Sequence, residues 1–448
     1  MAEFSPERLH EILKALLPAS VRTLSIAYSG GLDSTVLLLA LAKISKNFGV
    51  ELRALHVDHQ LQASSANWSQ HCVSTAAALQ IPCSVLRVVV EPGADGIEAA
   101  ARKARYDVFR PLIAADEALL TAHHADDQLE SILLALMRGA GVTGLAATPA
   151  LQPFSSGLLV RPLLEFTRSE LENWAREQQL QWIDDPTNDS IGFDRNYLRH
   201  HVTPFLKQRW PAAAVNAVRA SMHLAEASGL LEELAQIDIQ TAAVGPCLDL
   251  TKVRPLSEAR RRNVFRCWLK EKGIRAPSAR KLASIDHDLL VAKSDRIPRI
   301  ELDNAVLHRH RDLLYCSEAI ELIEVKSLQW DTRVPLQLPA GLGRLHLQER
   351  QGEGVARARL PECVTVSFRD GGETVRVSAH QPTRPLKKLL QESNILPWWR
   401  SRLPLIYAGD LLVAVGDLWV DAAFAAAPGE PSCKILWLDK PTIEAISR

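Results

Sequence analysis

Through residue 165 the apolar positions follow two alternating patterns. Short runs at 24–28, 52–57, 85–90, 119–122 and 158–160 are each followed by a longer stretch whose apolar residues recur at helical spacing. Strands alternating with helices need crossover connections, which predicts an α/β unit: a doubly wound, mainly parallel sheet covered on both faces. Such a sheet receives its ligands beyond the carboxyl ends of the strands. Past Pro204 and Pro211 long Ala-, Leu- and Glu-rich stretches such as 212–239 carry no strand-like runs between them, predicting a small helical domain. From about Val325 onward, alternation at 364–368 and 374–377 and a Gly371-Gly372 turn predict a mixed α+β domain. The expected divisions are 1–215, 216–325 and 326–448, consistent with a length of 448 residues.

The chemistry begins where the first run ends, at Ser29-Gly30-Gly31-Leu32-Asp33-Ser34-Thr35, which leads into the apolar segment 36–42. Paired glycines let the backbone turn tightly and expose successive N–H groups, the serine hydroxyls add donors, and the helix start adds positive dipole charge. That makes a pyrophosphate cradle, although the same letters also suit a plain strand-to-helix turn capped by Asp or Ser. The chain has no Gly-Lys dipeptide, which a Walker-type loop requires, and the Rossmann Gly-x-Gly-x-x-Gly is missing here.

Two further constellations follow. In 96–106 the helical register puts Glu98, Arg102 and Arg105 on one face, a pattern that also fits a solvated ion-paired surface. Thr121-Ala122-His123-His124-Ala125-Asp126-Asp127-Gln128-Leu129-Glu130 then sets carboxylates at the start of a helix, one turn apart, an arrangement suited to a cationic substrate or magnesium. A zinc or iron site would need a third spaced histidine or cysteine nearby, and none follows.

Ser-Gly-Gly-x-Asp-Ser after the first strand resembles the PP-loop of the N-type ATP pyrophosphatases, whose fold is adenine nucleotide α-hydrolase-like. With Gly96-x-Glu98-x-x-Ala101-Arg102-x-x-Arg105-Tyr106, Ala122-His123-His124-x-Asp126-Asp127-Gln128-x-Glu130, Arg138-Gly139-x-Gly141, Arg161-Pro162-Leu163-Leu164, Trp182-Ile183-Asp184-Asp185-Pro186-Thr187-Asn188 and Asp194-Arg195-Asn196-Tyr197-Leu198-Arg199, the chain is similar to the tRNA(Ile)-lysidine synthetases. Leu386-Lys387-Lys388-Leu389 with Pro397-Trp398-Trp399-Arg400 resembles that family's last domain; Thr187 stands where the family pattern has Ser.

The resemblance implies an ATP-dependent ligase that joins free L-lysine to C2 of the wobble cytidine in the CAU anticodon of tRNA(Ile), releasing AMP and pyrophosphate. It implies ATP contacts from Ser29, Gly30, Gly31, Leu32, Asp33, Ser34, His56 and Val57, with Asp33 placing magnesium. Asp33, Asp126, Asp127 and Arg102 are the expected catalytic residues. Arg105, Glu130, Asp185, Asn188, Arg195, Asn196 and Arg199 are expected to hold lysine or tRNA.

Composition supports a globular chain, with 47% hydrophobic and 23% charged residues, and the 52 basic and 52 acidic side chains cancel. That neutrality is an average. Residues 252–281 carry eleven Lys or Arg against Glu258 and Glu271, and 375–402 carry six against Glu392 with Trp398 and Trp399 interleaved. Such segments suit an RNA backbone and stacked bases, so Arg260, Arg261, Arg262, Lys387 and Lys388 are expected tRNA contacts, the alternative being solvated helix faces. Seven scattered cysteines without a Cys-x-x-Cys pair favour reduced thiols and disfavour a sulfur-transferring tRNA thiolase. Ala2 after Met1 disfavours a glutamine amidotransferase, and the intact loop disfavours an RNA-binding protein with a dead nucleotide site. The expectation is a cytoplasmic enzyme with no membrane segment, homodimerisation being left open.

Overall fold

The computed structural model describes residues 3–60, 65–90, 97–184, 192–275, 277–291, 298–302, 304–318 and 327–441. The chain forms two compact units, Met1–Leu231 and Glu232–Arg448.

In the first unit α1 (Pro6–Leu16) precedes a βα alternation: β1 (Thr23–Ala27), α2 (Leu32–Phe48), β2 (Glu51–Asp58), α3 (Ser65–Ala78), β3 (Cys83–Arg87), α4 (Ile97–Phe109), β4 (Glu117–Leu120) and α5 (Ala125–Met137). After a short α6 (Val142–Leu145), a hairpin of β5 (Leu151–Phe154) and β6 (Gly157–Val160) completes a sheet of order β3-β2-β1-β4-β6-β5. All neighbours are parallel except the β5–β6 pair at the edge. The interior strands read as near-continuous apolar runs because both faces are covered. On one face α1, α2 and α7 (Arg168–Glu177) bury Leu9, Leu13, Leu37, Leu41, Leu171 and Trp174 against β1. On the other, Phe109 of α4 packs with Leu55, Leu119, Phe154 and Leu159.

The amino-terminal edge of the sheet is tied by a partly buried ion pair, Arg53 Nε to Glu117 Oε1 at 2.7 Å. The strand order reverses at β1, so the crevice for a ligand opens between the ends of β1 and β4. Toward the end of the unit α8 (Asp194–Tyr197), a π-turn at Leu198–Val202, α9 (Thr203–Arg209) and α10 (Ala213–Ala242) follow.

In the second unit the helices Glu258–Glu271 and Ala279–Val291 contribute Phe265, Trp268, Ile285 and Leu289 to a core. Residues 243–318 also contain a five-stranded sheet that includes Ala305–His310 paired antiparallel to Leu313–Glu318. The purely helical expectation for this segment is therefore corrected. Three of these strands are only two or three residues long, and in Ala305–His310 the buried polar residues His308 and Arg309 interrupt the apolar run. Further along, antiparallel sheets of five and four strands enclose Trp330, Val366, Leu390, Ile406 and Trp437 together with the helix Leu386–Glu392, an α+β arrangement as expected.

Candidate active site

Gly30 turns the chain out of β1 with φ +83°, and a Cβ there would stand 2.8 Å from Cys72 Sγ, so only glycine fits. Gly31 caps the 17-residue α2, leaving that helix's first N–H groups at the carboxyl edge of the sheet. The loop is braced from within: Ser29 Oγ lies 3.0 Å from Ser34 Oγ, Ser34 and Thr35 donate to Gly31 O at 3.0 and 2.9 Å, and Ile183 N donates to Gly30 O at 2.9 Å. Buried His56 fixes the neighbouring strand end through Nδ1, 2.9 Å from Tyr28 O. Asp33 Oδ1 is buried without a partner, and Oδ2 sits 3.6 Å from His124 Nε2.

His124 also approaches Asp127 Oδ2 at 3.4 Å and so stands between the phosphate loop and the acidic start of α5. Its backbone N–H donates to Asp127 Oδ2 at 3.0 Å, capping the helix. Burial opposes the imidazolium, but Asp127, Asp33 and Asp126 outweigh it and raise its pKa to about 9. Partial burial pushes the Asp127 carboxyl up, yet His124, His123, Arg195 and Arg199 outweigh it and hold the group well below the usual carboxylate range. Neighbouring His123 is pushed down to about 3 by burial and by Arg161, Arg102 and Arg195, although Asp127 opposes the shift.

The acidic cluster is matched by cations that the sequence places 65 to 81 residues away. Arg195 Nε donates to Glu130 Oε2 at 2.8 Å and its Nη2 to Asp127 Oδ1 at 3.0 Å. Arg199 adds bonds to Glu130 at 2.8 and 2.9 Å and to Asp127 at 3.1 Å. Asp126 takes the Lys207 ammonium on one oxygen and the Arg168 N–H at 2.9 Å on the other. Burial raises the Asp126 pKa, but these partners and His124 bring it below its ordinary value. The structure thus joins two groups that the sequence offered separately, and adds Lys207, for which no local pattern existed. The one available sign of the His124 link was the His-His pair at a strand end.

Exposed Arg102 lies over the Tyr106 ring, 5.1 Å from its centroid, and Arg105 Nη2 is 3.4 Å from His59 Nε2. Asn196 is half-buried on α8 beside Arg195. Asp185 and Asn188 lie outside the described residues, as does the side chain of Glu98.

In the second unit the expected basic patch is compensated. Arg260 pairs with Asp238, its Nε at 3.0 Å; Arg261 grips the buried Asp286 at 2.6 and 2.8 Å; Arg262 pairs with Glu258. Carboxylates from the same helix and from two others thus engage these three arginines, which brace the helices while Arg260 and Arg262 keep part of their side chains at the surface. Trp399 is buried, and Trp398 stacks on His308 with ring centroids 4.2 Å apart, so neither indole stands free for a base. Lys387 and Lys388 are exposed.

A parallel sheet with a reversal at β1, a glycine-paired loop opening α2 and a carboxylate aimed into the crevice define a PP-loop nucleotide-binding domain. The PP-loop domain family matches residues 4–206, the TilS substrate binding domain family 248–315 and the TilS substrate C-terminal domain family 364–437. The chain is 40% identical over 426 residues to the tRNA(Ile)-lysidine synthase of Coxiella burnetii, covering 94% of each chain. It is 42% identical to that of Alkalilimnicola ehrlichii, covering 95% and 96%, and 38% identical to that of Nitrosomonas europaea, covering 97% and 96%. The protein belongs to the tRNA(Ile)-lysidine synthase family.

Proposed function

We propose that the protein is an ATP-dependent ligase that joins free L-lysine to C2 of the wobble cytidine of a tRNA(Ile) with a CAU anticodon. The carrying observation is the line Asp33–His124–Asp127, with steps of 3.6 and 3.4 Å, which sets a phosphate loop against a buried acidic cluster within one crevice. Adenylation of O2 of the cytidine expels pyrophosphate and turns a poor oxygen leaving group into AMP; the lysine ε-amine then forms the C2–N bond as AMP departs.

Ser29, Gly30, Gly31, Leu32, Asp33 and Ser34 receive the phosphates, and His56 and Val57 border the adenine. Asp33 suits magnesium, since its Oδ1 lacks a partner and hard cations prefer oxygen; an ion held there would supply charge neutralisation. Asp126, Asp127 and Glu130 form the anionic pocket that orients the lysine ammonium, whose proton must leave before attack. Lys207 supports this role, because Asp126 already binds a primary ammonium. Arg102 meets the charge that develops on the phosphate, and Arg105, Arg195, Asn196 and Arg199, with Asp185 and Asn188, hold the substrates. Lys387 and Lys388 contact tRNA; Arg260, Arg261 and Arg262 act there through helix bracing.

The domain divisions 1–215, 216–325 and 326–448 complete the reading, with catalysis in the first. No helix among the described residues is long and apolar enough to cross a membrane, and we assign a cytoplasmic location.

Purified protein incubated with ATP, labelled lysine and tRNA bearing a CAU anticodon is expected to place label in the RNA only when ATP is present. Absence of ATP-dependent label would overturn the assignment.

A further inference from the structure

From Asp194 to Arg209 the chain is one continuous helix, α8 and α9 joined through the π-turn at Leu198–Val202, with right-handed helical backbone at each junction. A step of four residues overshoots one α-helical turn by about 40°, whereas in the wider π-turn, whose bonds run from i to i+5, it falls short of a full turn. The two offsets oppose each other, so residues four apart stay on one face across the joint. One such stripe is Arg195, Arg199, Thr203 and Lys207. It faces inward: Arg195 and Arg199 bond Asp127 and Glu130, Thr203 is buried, and Lys207 pairs with Asp126. The stripe two residues further on, Tyr197, His201, Phe205 and Arg209, therefore lies on the opposite face. There Tyr197 is 52% and Phe205 71% exposed, and His201 and Arg209 are exposed as well. The Tyr197 and His201 rings touch, with centroids 5.1 Å apart, and the Arg209 guanidinium lies 5.9 Å from the centroid of Trp210, itself 57% exposed.

Single exposed apolar side chains are ordinary on a protein surface, but three exposed rings between residues 197 and 210 call for a partner. Charge says which kind. No Asp or Glu occurs between residues 195 and 225, so the outer stripe offers cations and ring faces without carboxylates of its own. Single-stranded RNA matches both features, because its bases stack on aromatic side chains and its phosphates meet a guanidinium. A second copy of this chain matches less well, since a two-fold contact would bring the basic stripe against itself. Position agrees: the inner stripe of the same helix grips the carboxylates of the crevice, so a strand lying on the outer stripe passes beside the base being modified. Tyr197 and Phe205 are eight residues apart, about 12 Å along the helix, the rise of three to four stacked nucleotides at roughly 3.4 Å each. We propose that the outer face of this helix is a stacking rail for the single-stranded nucleotides that flank the modified cytidine. Tyr197 and Phe205 receive bases, His201 braces Tyr197, and Arg209, held over Trp210, meets a backbone phosphate. The proposal rests on the RNA-modifying reading above and adds where that substrate lies.

The test uses the full chain and a CAU anticodon stem-loop RNA that carries a fluorescent purine next to the wobble position. Wild type is compared with Tyr197→Ala, Phe205→Ala, Phe205→Leu, Phe205→Trp and Arg209→Met, each checked by circular dichroism. Wild type should quench the purine on binding. Tyr197→Ala and Phe205→Ala should relieve the quenching and weaken binding roughly 5- to 100-fold, the range for loss of one base–aromatic stack. In both, KM for tRNA should rise while KM for ATP and for lysine stays put. Phe205→Trp should restore binding, and Phe205→Leu, which keeps apolar bulk without a ring face, should not. Arg209→Met should make the slope of log Kd against log salt shallower by about 0.7. Unchanged binding and quenching in the two alanine variants would overturn the proposal. Recovery by Phe205→Leu would assign the surface to plain apolar contact, with the same consequence. If Phe205→Ala lowers the sedimentation mass of the protein while RNA binding holds, the stripe is an interface between copies and the proposal falls. Should the alanine variants fail to fold, Arg209→Met decides, an unchanged slope overturning the proposal. Wild type that binds the stem-loop but adds no lysine to tRNA would refute the functional reading, and the same binding comparison would still decide this one.

Discussion

Replacing Glu130 by Gln removes one charge from the most densely paired part of the crevice. The Glu130 side chain is 1% exposed and accepts three guanidinium bonds, from Arg195 Nε at 2.8 Å and from Arg199 Nε and Nη2 at 2.8 and 2.9 Å. Breaking a buried ion pair from one side costs about 3 to 5 kcal/mol, because the other charge stays buried and unmatched. Two features reduce that here. Asp127 still bonds both arginines, at 3.0 and 3.1 Å, and the guanidiniums are 23% and 24% exposed, so water compensates part of the loss. Glutamine also keeps one carbonyl acceptor but turns an amide donor toward a cation. A destabilisation of about 2 to 3 kcal/mol follows, which for a unit of this size lowers Tm by roughly 4 to 12 °C. Thermal unfolding followed by circular dichroism measures it, and a double-mutant cycle with Arg199→Met isolates the pairwise contribution. A Tm within a degree of wild type, with no coupling in the cycle, would refute the view that these arginines depend on Glu130.

Asp33→Ala should abolish ATP-dependent pyrophosphate release while tRNA binding, followed by filter retention, survives; retained release would remove Asp33 from the phosphate site. The two basic segments should behave differently: Arg261→Met should destabilise the second unit by about 1 to 3 kcal/mol through its stranded Asp286, with little change in tRNA salt dependence, whereas Lys387→Ala with Lys388→Ala should weaken tRNA binding and flatten its salt slope without lowering Tm. A flattened slope in the first variant and none in the second would reverse these assignments. His308, buried under Trp398, has its pKa pushed down to about 4 by burial, with Arg299 adding to the shift. The unfolded chain therefore takes up its proton first: this contribution is fully present above about pH 6.5 and is lost as pH falls toward 4. His308→Phe should flatten the urea-unfolding free energy of the second unit over that range, and an unaltered pH profile would contradict the burial argument.

The catalytic unit was legible because its signals are local. Five apolar runs alternating with helical spacing fall at or within a few residues of β1 to β4 and β6, and Gly30 at the end of the first run takes the positive φ that favours glycine. The strands of residues 243–318 escaped notice because three of them span only two or three residues and because Ala305–His310 buries His308 and Arg309, polar residues that break the apolar run.

The sequence by itself determined the α/β order, the phosphate loop and the identity of the carboxylates, all of which depend on residues within one turn or one strand of each other. Tertiary structure decided the charge balance. The string of basic residues at 252–281 looked open along the chain, yet Asp238 and Asp286 neutralise part of it from separate helices. The acidic cluster looked ready for a cation, yet Arg195, Arg199 and Lys207 reach it across dozens of residues. Arg161, which drew notice only within a motif, emerged as a buried cation without a described carboxylate partner. The physical reason is range: backbone preferences act between neighbours in sequence, whereas Coulomb interactions and desolvation act between neighbours in space.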